Sequence, residues 1–122
     1  MRKTQEPGAV ADWHAHIYFT TPEERAQAAV LREEIGARHP TAVLGRWHEG
    51  KVGPHPVAMY QVLFQPADFP TLLPYLALNR AGLTVLVHPN THRPKDDHLL
   101  HAIWLGAVLP LDASMLPETA HG

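Results

Sequence analysis

The segment Trp13 to Phe19, WHAHIYF, constrains the chain more than any other. It is rich in aromatic and β-branched residues and alternates as a strand does when its two faces meet different surroundings. A period of two sets His14, His16 and Tyr18 on one face and Trp13, Ala15, Ile17 and Phe19 on the other. A helix start follows at once. Thr21 as N-cap, Pro22 at the first helical position and Glu24 three residues after the cap form a capping box. The helix is expected to run to about Ala37, with Ala28, Leu31 and Ile35 inward, flanked by Ala26 and Val30, and with Arg25, Arg32 and Glu33 toward solvent. Arg38 and His39 suit its C-terminal end, and Pro40 stops it.

Thr41 to Glu49 reads as a second strand, Gly50 to Pro54 as a turn, and Pro56 to Gln65 as a third strand with Ala58, Tyr60, Val62 and Phe64 on one face. Asp68 to Arg80 places Phe69, Leu72, Leu73 and Leu76 at helical spacing and ends before Gly82 as its cap, with Pro74 expected to bend or break it. Leu83 to His88 is a fourth strand bounded by Gly82 and Pro89. The order β-α-β-β-α-β predicts an α+β, ferredoxin-like split βαβ sandwich: an antiparallel sheet with two helices on one face and the other face open. Ile103 to Leu111 offers an extra C-terminal strand to help cover that face, and a second subunit is the other way to cover it, so a homodimer is expected. The 122 residues fit one domain with a core of about 13–112, a loose lead-in at Met1 to Val10 and a loose tail from Ala113.

The chain has ten histidines, as many as Lys and Arg together, and no cysteine. Thiolate metal sites, disulfides and cysteine nucleophiles are excluded by count. A net charge of −2 gives no basic field for nucleic acid. No apolar run is long enough for a membrane span, no signal core follows Arg2 and Lys3, and a cytoplasmic protein is the reading that results. Ser114 is the only serine and stands in the tail, and no Gly-rich phosphate loop, G-x-S-x-G elbow or H-E-x-x-H helix is present.

The topology gathers some of the histidines. The first strand lies between the third and fourth and antiparallel to both, so its start meets the end of the fourth. His14 and His16 then lie near His88, which shares its face with Thr84 and Leu86, and three imidazoles converging on the open face make a candidate metal site. His98 and His101 lie together if their segment is helical and on opposite sides if it is extended. His55, stiffened between Pro54 and Pro56, reaches the site only if its loop folds inward or a neighbouring subunit supplies it. His39, His48, His92 and His121 read as surface groups. A two-histidine, one-carboxylate site would need Asp12, Asp96 or Asp97, none of which is clearly directed inward.

The ordered blocks WHAHIYF, GPHPVAMYQV, YLALNRAGLTVLVHPNT, DDH, and AIWLG followed by PLD resemble the DOPA 4,5-dioxygenase family of bacterial and fungal ring-opening enzymes, over roughly Trp13 to Asp112. The resemblance implies a ferredoxin-like fold and extradiol cleavage of a catechol such as L-DOPA by O₂ and a non-haem Fe(II), for which Zn(II) or Ni(II) can substitute in a purified protein. It matches His14, His16, His55, His88 and His98 to the family's histidines and leaves His101 in a variable place. The expected assignment is His14, His16 and His88 as metal ligands, with His55 and His98 as neighbouring acid/base groups. For an amino-acid substrate, Arg80 could meet the carboxylate and Asn79 or Asn90 the ammonium or ring hydroxyls, while Tyr18 and Trp104 could wall the ring. Arg80 could equally be a charge capping its helix. The alternatives are a non-catalytic dimeric metal- or aromatic-binding module of the same fold, and an enzyme whose metal acts only as a Lewis acid on another small aromatic.

Overall fold

The computed structural model describes residues 3–119. The order of elements is β1 (Asp12–Tyr18), α1 (Pro22–Arg38), β2 (Val43–His48), β3 (Met59–Phe64), α2 (Phe69–Asn79), β4 (Val85–Asn90), α3 (Pro94–Leu99) and β5 (Ile103–Leu105). The strands form one sheet in the order β2-β3-β1-β4-β5, every neighbouring pair antiparallel. The first four strands and first two helices are the split βαβ plan expected from the sequence, and the fold is α+β. No described helix is long and apolar enough to cross a membrane.

Side-chain parity separates the two faces. Ala15, Ile17, Tyr60, Val62, Phe64, Val85 and Val87 pack against Ala28, Leu31 and Ile35 of α1 and Leu72 and Leu76 of α2, all nearly excluded from solvent. The capping box at the start of α1 is complete: the Thr21 hydroxyl accepts from the Glu24 amide, and the Glu24 carboxylate accepts from the Thr20 and Thr21 amides. The inward stripe of α1 is narrower than expected. Val30 is 55% exposed and Ala26 is exposed, because both lie off the line through residues 28, 31 and 35, whereas Arg32 is half-buried with its guanidinium over the Tyr60 ring.

Several boundaries differ from expectation, each for a local reason. Pro74 does not break α2, which is continuous from Phe69 to Asn79. Pro70 and Pro74 are both exposed, so the carbonyl left without an amide partner faces water while Leu72 and Leu76 hold the inner side. After α2, Ala81 as well as Gly82 adopts positive φ, 55° and 79°, closing a tight turn through the bond from the Leu83 amide to the Arg80 carbonyl. β4 starts at Val85 and runs through Pro89 to Asn90. The proline is accommodated because β5 pairs only with Val85–Val87, and ladder alternation turns Pro89 toward that vacated edge.

The face opposite the helices is covered by the chain's own segments. β5 is only three residues long and extends the sheet edge rather than lying over the face. Tyr18, Met59 and Leu86 pack there against Val52 and Val57 of the β2–β3 loop and against Trp104, Leu109 and Leu111. The Asp112 amide donates to the Pro54 carbonyl and joins the two covering segments. The expected loose tail is docked as far as Pro117: Leu116 is 9% exposed, and the Pro117 carbonyl accepts from the Lys95 amide of α3. His121 lies outside the described residues.

The continuous α2 makes a prediction about stability. Leu72→Ala, at a fully buried position, should cost about 2–5 kcal/mol in urea unfolding, and Leu78→Ala, at a position 85% exposed, should stay within about 0.5 kcal/mol of the parent. Similar costs at the two positions would show that α2 does not present this inner face.

Candidate metal centre

The face covered by the loops carries the histidines. β1 pairs with β4 so that His14 is directly opposite His88 and His16 is opposite Leu86. His16 is 2% and His88 0% exposed, and their Nε2 atoms are 3.1 Å apart. The β2–β3 loop folds inward and brings His55 to 5% exposure, its ring centroid 4.1 Å from that of His16. The helical alternative holds for the DDH segment: α3 turns His98 over His88 with ring centroids 3.9 Å apart. Five imidazoles from β1, the β2–β3 loop, β4 and α3 thus meet within one chain. His55 needs no neighbouring subunit to reach the others.

Backbone carbonyls fix two of the rings. His88 Nδ1–H donates to the Pro89 carbonyl over 2.9 Å, an acceptor left free by the short β5. His98 Nδ1–H donates to the Pro94 carbonyl over 2.7 Å. In neutral imidazole the other nitrogen is then a lone-pair donor, so both residues offer Nε2. With His88 Nε2 an acceptor, His16 Nε2–H donates to it, and His16 Nδ1 is left buried with no partner. His55 Nδ1 is 2.7 Å from the Tyr18 hydroxyl, and Tyr18 stacks on Trp104 at 6.1 Å.

The electrostatics keep the cluster neutral. Burial lowers the pKa of all five, and neighbouring imidazoles push His14, His16, His55 and His88 further down. His55 falls to about 4. Bonds to backbone carbonyls oppose the shift at His88 and His98. Neutral imidazole is the form that binds metal.

Two overlapping triplets have one ligand atom from each residue within 4.8 Å of the others: His14, His16 and His88, and His16, His55 and His98. Two imidazole nitrogens 3.1 Å apart suit adjacent positions on one first-row ion with bonds of about 2.1 Å. The unpartnered His16 Nδ1 is a buried polar atom in a place where an unmet hydrogen-bonding group is costly. An all-imidazole donor set fits Fe(II), Zn(II) or Ni(II).

The remaining candidates separate by position. Asn90 is on the histidine face beyond His88, its amide donating to Asp12 over 2.7 Å. Arg80 lies at the end of α2 on the helix side of the sheet and donates to the carbonyls of Leu83 and Ala77, so its contacts are those of a helix cap. Asn79 is exposed and donates to the Tyr75 carbonyl. His101 follows α3 and lies beside Gln5, Pro89 and Thr91, away from the five clustered rings. His92 is exposed, whereas His39 is half-buried against Tyr75. A cavity of about 190 Å³ borders Tyr18, Thr20, Glu24 and Thr84, and a larger one of about 450 Å³ lies at the start of α1 beside Arg25, Lys51 and Val57; no clustered histidine lines either.

The sequence offered Asp97 only as a carboxylate not clearly directed inward, and its bond to Thr91 was not foreseen. Asp97 is 1% exposed, and both of its oxygens accept from Thr91, one from the amide at 2.8 Å and one from the hydroxyl at 2.7 Å. Neither oxygen is directed at the imidazoles, and the spacing Thr-x₅-Asp has no recognised signature that would have revealed the contact.

Neutral burial gives stability a direction with pH. Below about pH 6.5 the unfolded chain takes up protons that the folded cluster refuses, so stability present above that pH is lost as pH falls. Urea unfolding of the metal-free protein should show a loss of at least about 2 kcal/mol between pH 7.5 and pH 5. Equal stability at the two values would contradict a neutral cluster.

Comparison with known proteins identifies the chain's relatives. The sequence profile of the Dopa 4,5-dioxygenase family matches residues 13–115, which include all five clustered histidines. The chain is 40% identical over 121 residues to an "Uncharacterized 21.2 kDa protein" of Botryotinia fuckeliana, covering 91% of this chain and 66% of that one. It is 34% identical over 115 residues to a DOPA 4,5-dioxygenase of Amanita muscaria, covering 88% of this chain and 50% of that one. The chain therefore spans between half and two thirds of these curated relatives. A crystal structure of a "putative dioxygenase" from Nostoc punctiforme superposes with a TM-score of 0.88 at 44% identity, covering 92% of this chain and 96% of that one. With the profile spanning every strand of the sheet and every ring of the cluster, the chain belongs to the Dopa 4,5-dioxygenase family.

Proposed function

We propose that the protein is an Fe(II)-dependent extradiol dioxygenase that opens the ring of a catechol such as L-DOPA. The observation that carries the reading is the convergence of five neutral imidazoles with no carboxylate among them, two of them aimed by backbone carbonyls. His14, His16 and His88 would hold the iron. An Fe(II) with three protein ligands supplies open positions for both catechol oxygens and O₂.

The chain's own groups then have distinct tasks. His98, half-exposed and tilted over His88, accepts a catechol proton at Nε2, because its Nδ1 is occupied by the Pro94 carbonyl. His55, whose Nδ1 accepts from the Tyr18 hydroxyl, offers its Nε2–H as a hydrogen-bond donor beside His16 and His98. Tyr18 and Trp104 form a stacked wall for the ring. Asn90 and Asp12 supply a donor and an acceptor for the substrate's polar groups at the far edge. Arg80 has no part in this reading. The covering segments pack over Tyr18 and Leu86 on this face, beside the buried His16 and His55.

The second triplet supports another ligand set, His16, His55 and His98. The two readings share His16 and divide on His14 and His88 against His55 and His98. Anaerobic reconstitution with Fe(II), then addition of L-DOPA and air, should give oxygen uptake with a yellow ring-opened product. His14→Ala and His88→Ala should lose bound iron, while His98→Ala should keep it and lose at least about 100-fold in turnover. Iron kept by His14→Ala and lost by His98→Ala would favour the second set, and no oxygen uptake with any catechol would leave a binding module of the same fold.

A further inference from the structure

Among the buried ionisable groups near the cluster, Asp97 alone has no task in this chemistry. It is 1% exposed, and both carboxylate oxygens are taken by one residue, Thr91. The two residues are not equivalent in the fold. Thr91 directly follows β4, which carries His88, and Asp97 directly precedes His98 on α3. The bonds therefore close a short loop whose two ends each lead to an imidazole.

That loop cannot hold its shape alone. His92 within it has φ 70°, a left-handed conformation that costs a non-glycine residue free energy. α3 is six residues long, too short to be stable by its own hydrogen bonds. Besides the packing of the His98 ring, its hydrogen bonds to the rest of the molecule among the described residues are the Asp97–Thr91 pair and the bond from the Lys95 amide to the Pro117 carbonyl, and the first is the one next to His98. The outcome of the arrangement is the 3.9 Å approach of the His98 ring to His88, with Nδ1 on Pro94.

We infer that Asp97 is a positioning residue: its carboxylate clasps Thr91 so that α3 presents His98 Nε2 to the centre. The inference rests on the proposed role of His98, and its test keeps the two apart. Asp97→Ala, Asp97→Asn and Thr91→Val are compared by long-range ¹H–¹⁵N NMR of the imidazole nitrogens, with and without Zn(II), and by turnover and iron content of the Fe(II)-loaded proteins.

In the parent, His98 should show the Nδ1–H tautomer. In Asp97→Ala that signature should be replaced by an averaged one, with the His16 and His88 signals kept, iron content unchanged, and turnover down about tenfold to a hundredfold. Asp97→Asn, whose amide can still accept from the Thr91 amide and donate to its hydroxyl, should restore both readouts. Thr91→Val, which removes one bond of two, should fall between, and it decides the matter if Asp97→Ala does not fold. An unchanged His98 tautomer with parental turnover, and only a lower melting temperature, would overturn the inference and leave Asp97 a structural group. If the parent itself does not turn over, the proposed function fails and the imidazole spectrum still decides the clasp.

Discussion

The antiparallel register of β1 on β4 is the constraint on which the site depends. It sets His14 opposite His88 and leaves His16 two pairs further along on the same face, so that the buried His16 and His88 meet nitrogen to nitrogen. Because side chains alternate with a period of two, a slip of one residue would send these rings into the helix-facing core and bring Ala15 and Ile17 out. The apolar face prevents that slip. Ala15, Ile17, Val85 and Val87 are fully buried under α1 and α2, so packing on one side of the sheet fixes the chemistry on the other.

Burial then decides the state of the rings. Charging one imidazole among four others, behind the covering loops, is costly, and the cluster remains a set of neutral donors. The backbone completes the arrangement. β5 stops at the level of Val87, the Pro89 carbonyl is left without a ladder partner, and His88 takes it. A short edge strand and a proline in a sheet thereby orient one ring, while the first turn of α3 orients another through Pro94.

Much of this was legible in the sequence because it follows from period and register. WHAHIYF gave the two faces of β1, the Thr21–Glu24 box gave the start of α1, and the β-α-β-β-α-β order brought His88 to His14 and His16. What could not be read depends on loops and on competition between local contacts. The inward fold of the β2–β3 loop, which delivers His55, is held by Asp112 on Pro54, two residues far apart in sequence and without periodic pattern. Pro74 reads as a break by local chemistry, yet tertiary burial of Leu72 and Leu76 overrides it. Arg80 had two tasks open to it, and short-range carbonyls took it. The resemblance in five ordered blocks pointed to His55 and His98 where spacing alone did not, and the family profile spans the same stretch.

The proposed centre is one metal ion held on this sheet face through β1 and β4. Crystals of the anaerobic Fe(II)-loaded protein, measured at the iron absorption edge, give the sharpest check. A single anomalous peak is expected, bonded to one nitrogen each of His14, His16 and His88, with His55 and His98 nearby and unbonded. A peak bonded to His55 and His98, or iron found only away from this face, would rule that assignment out.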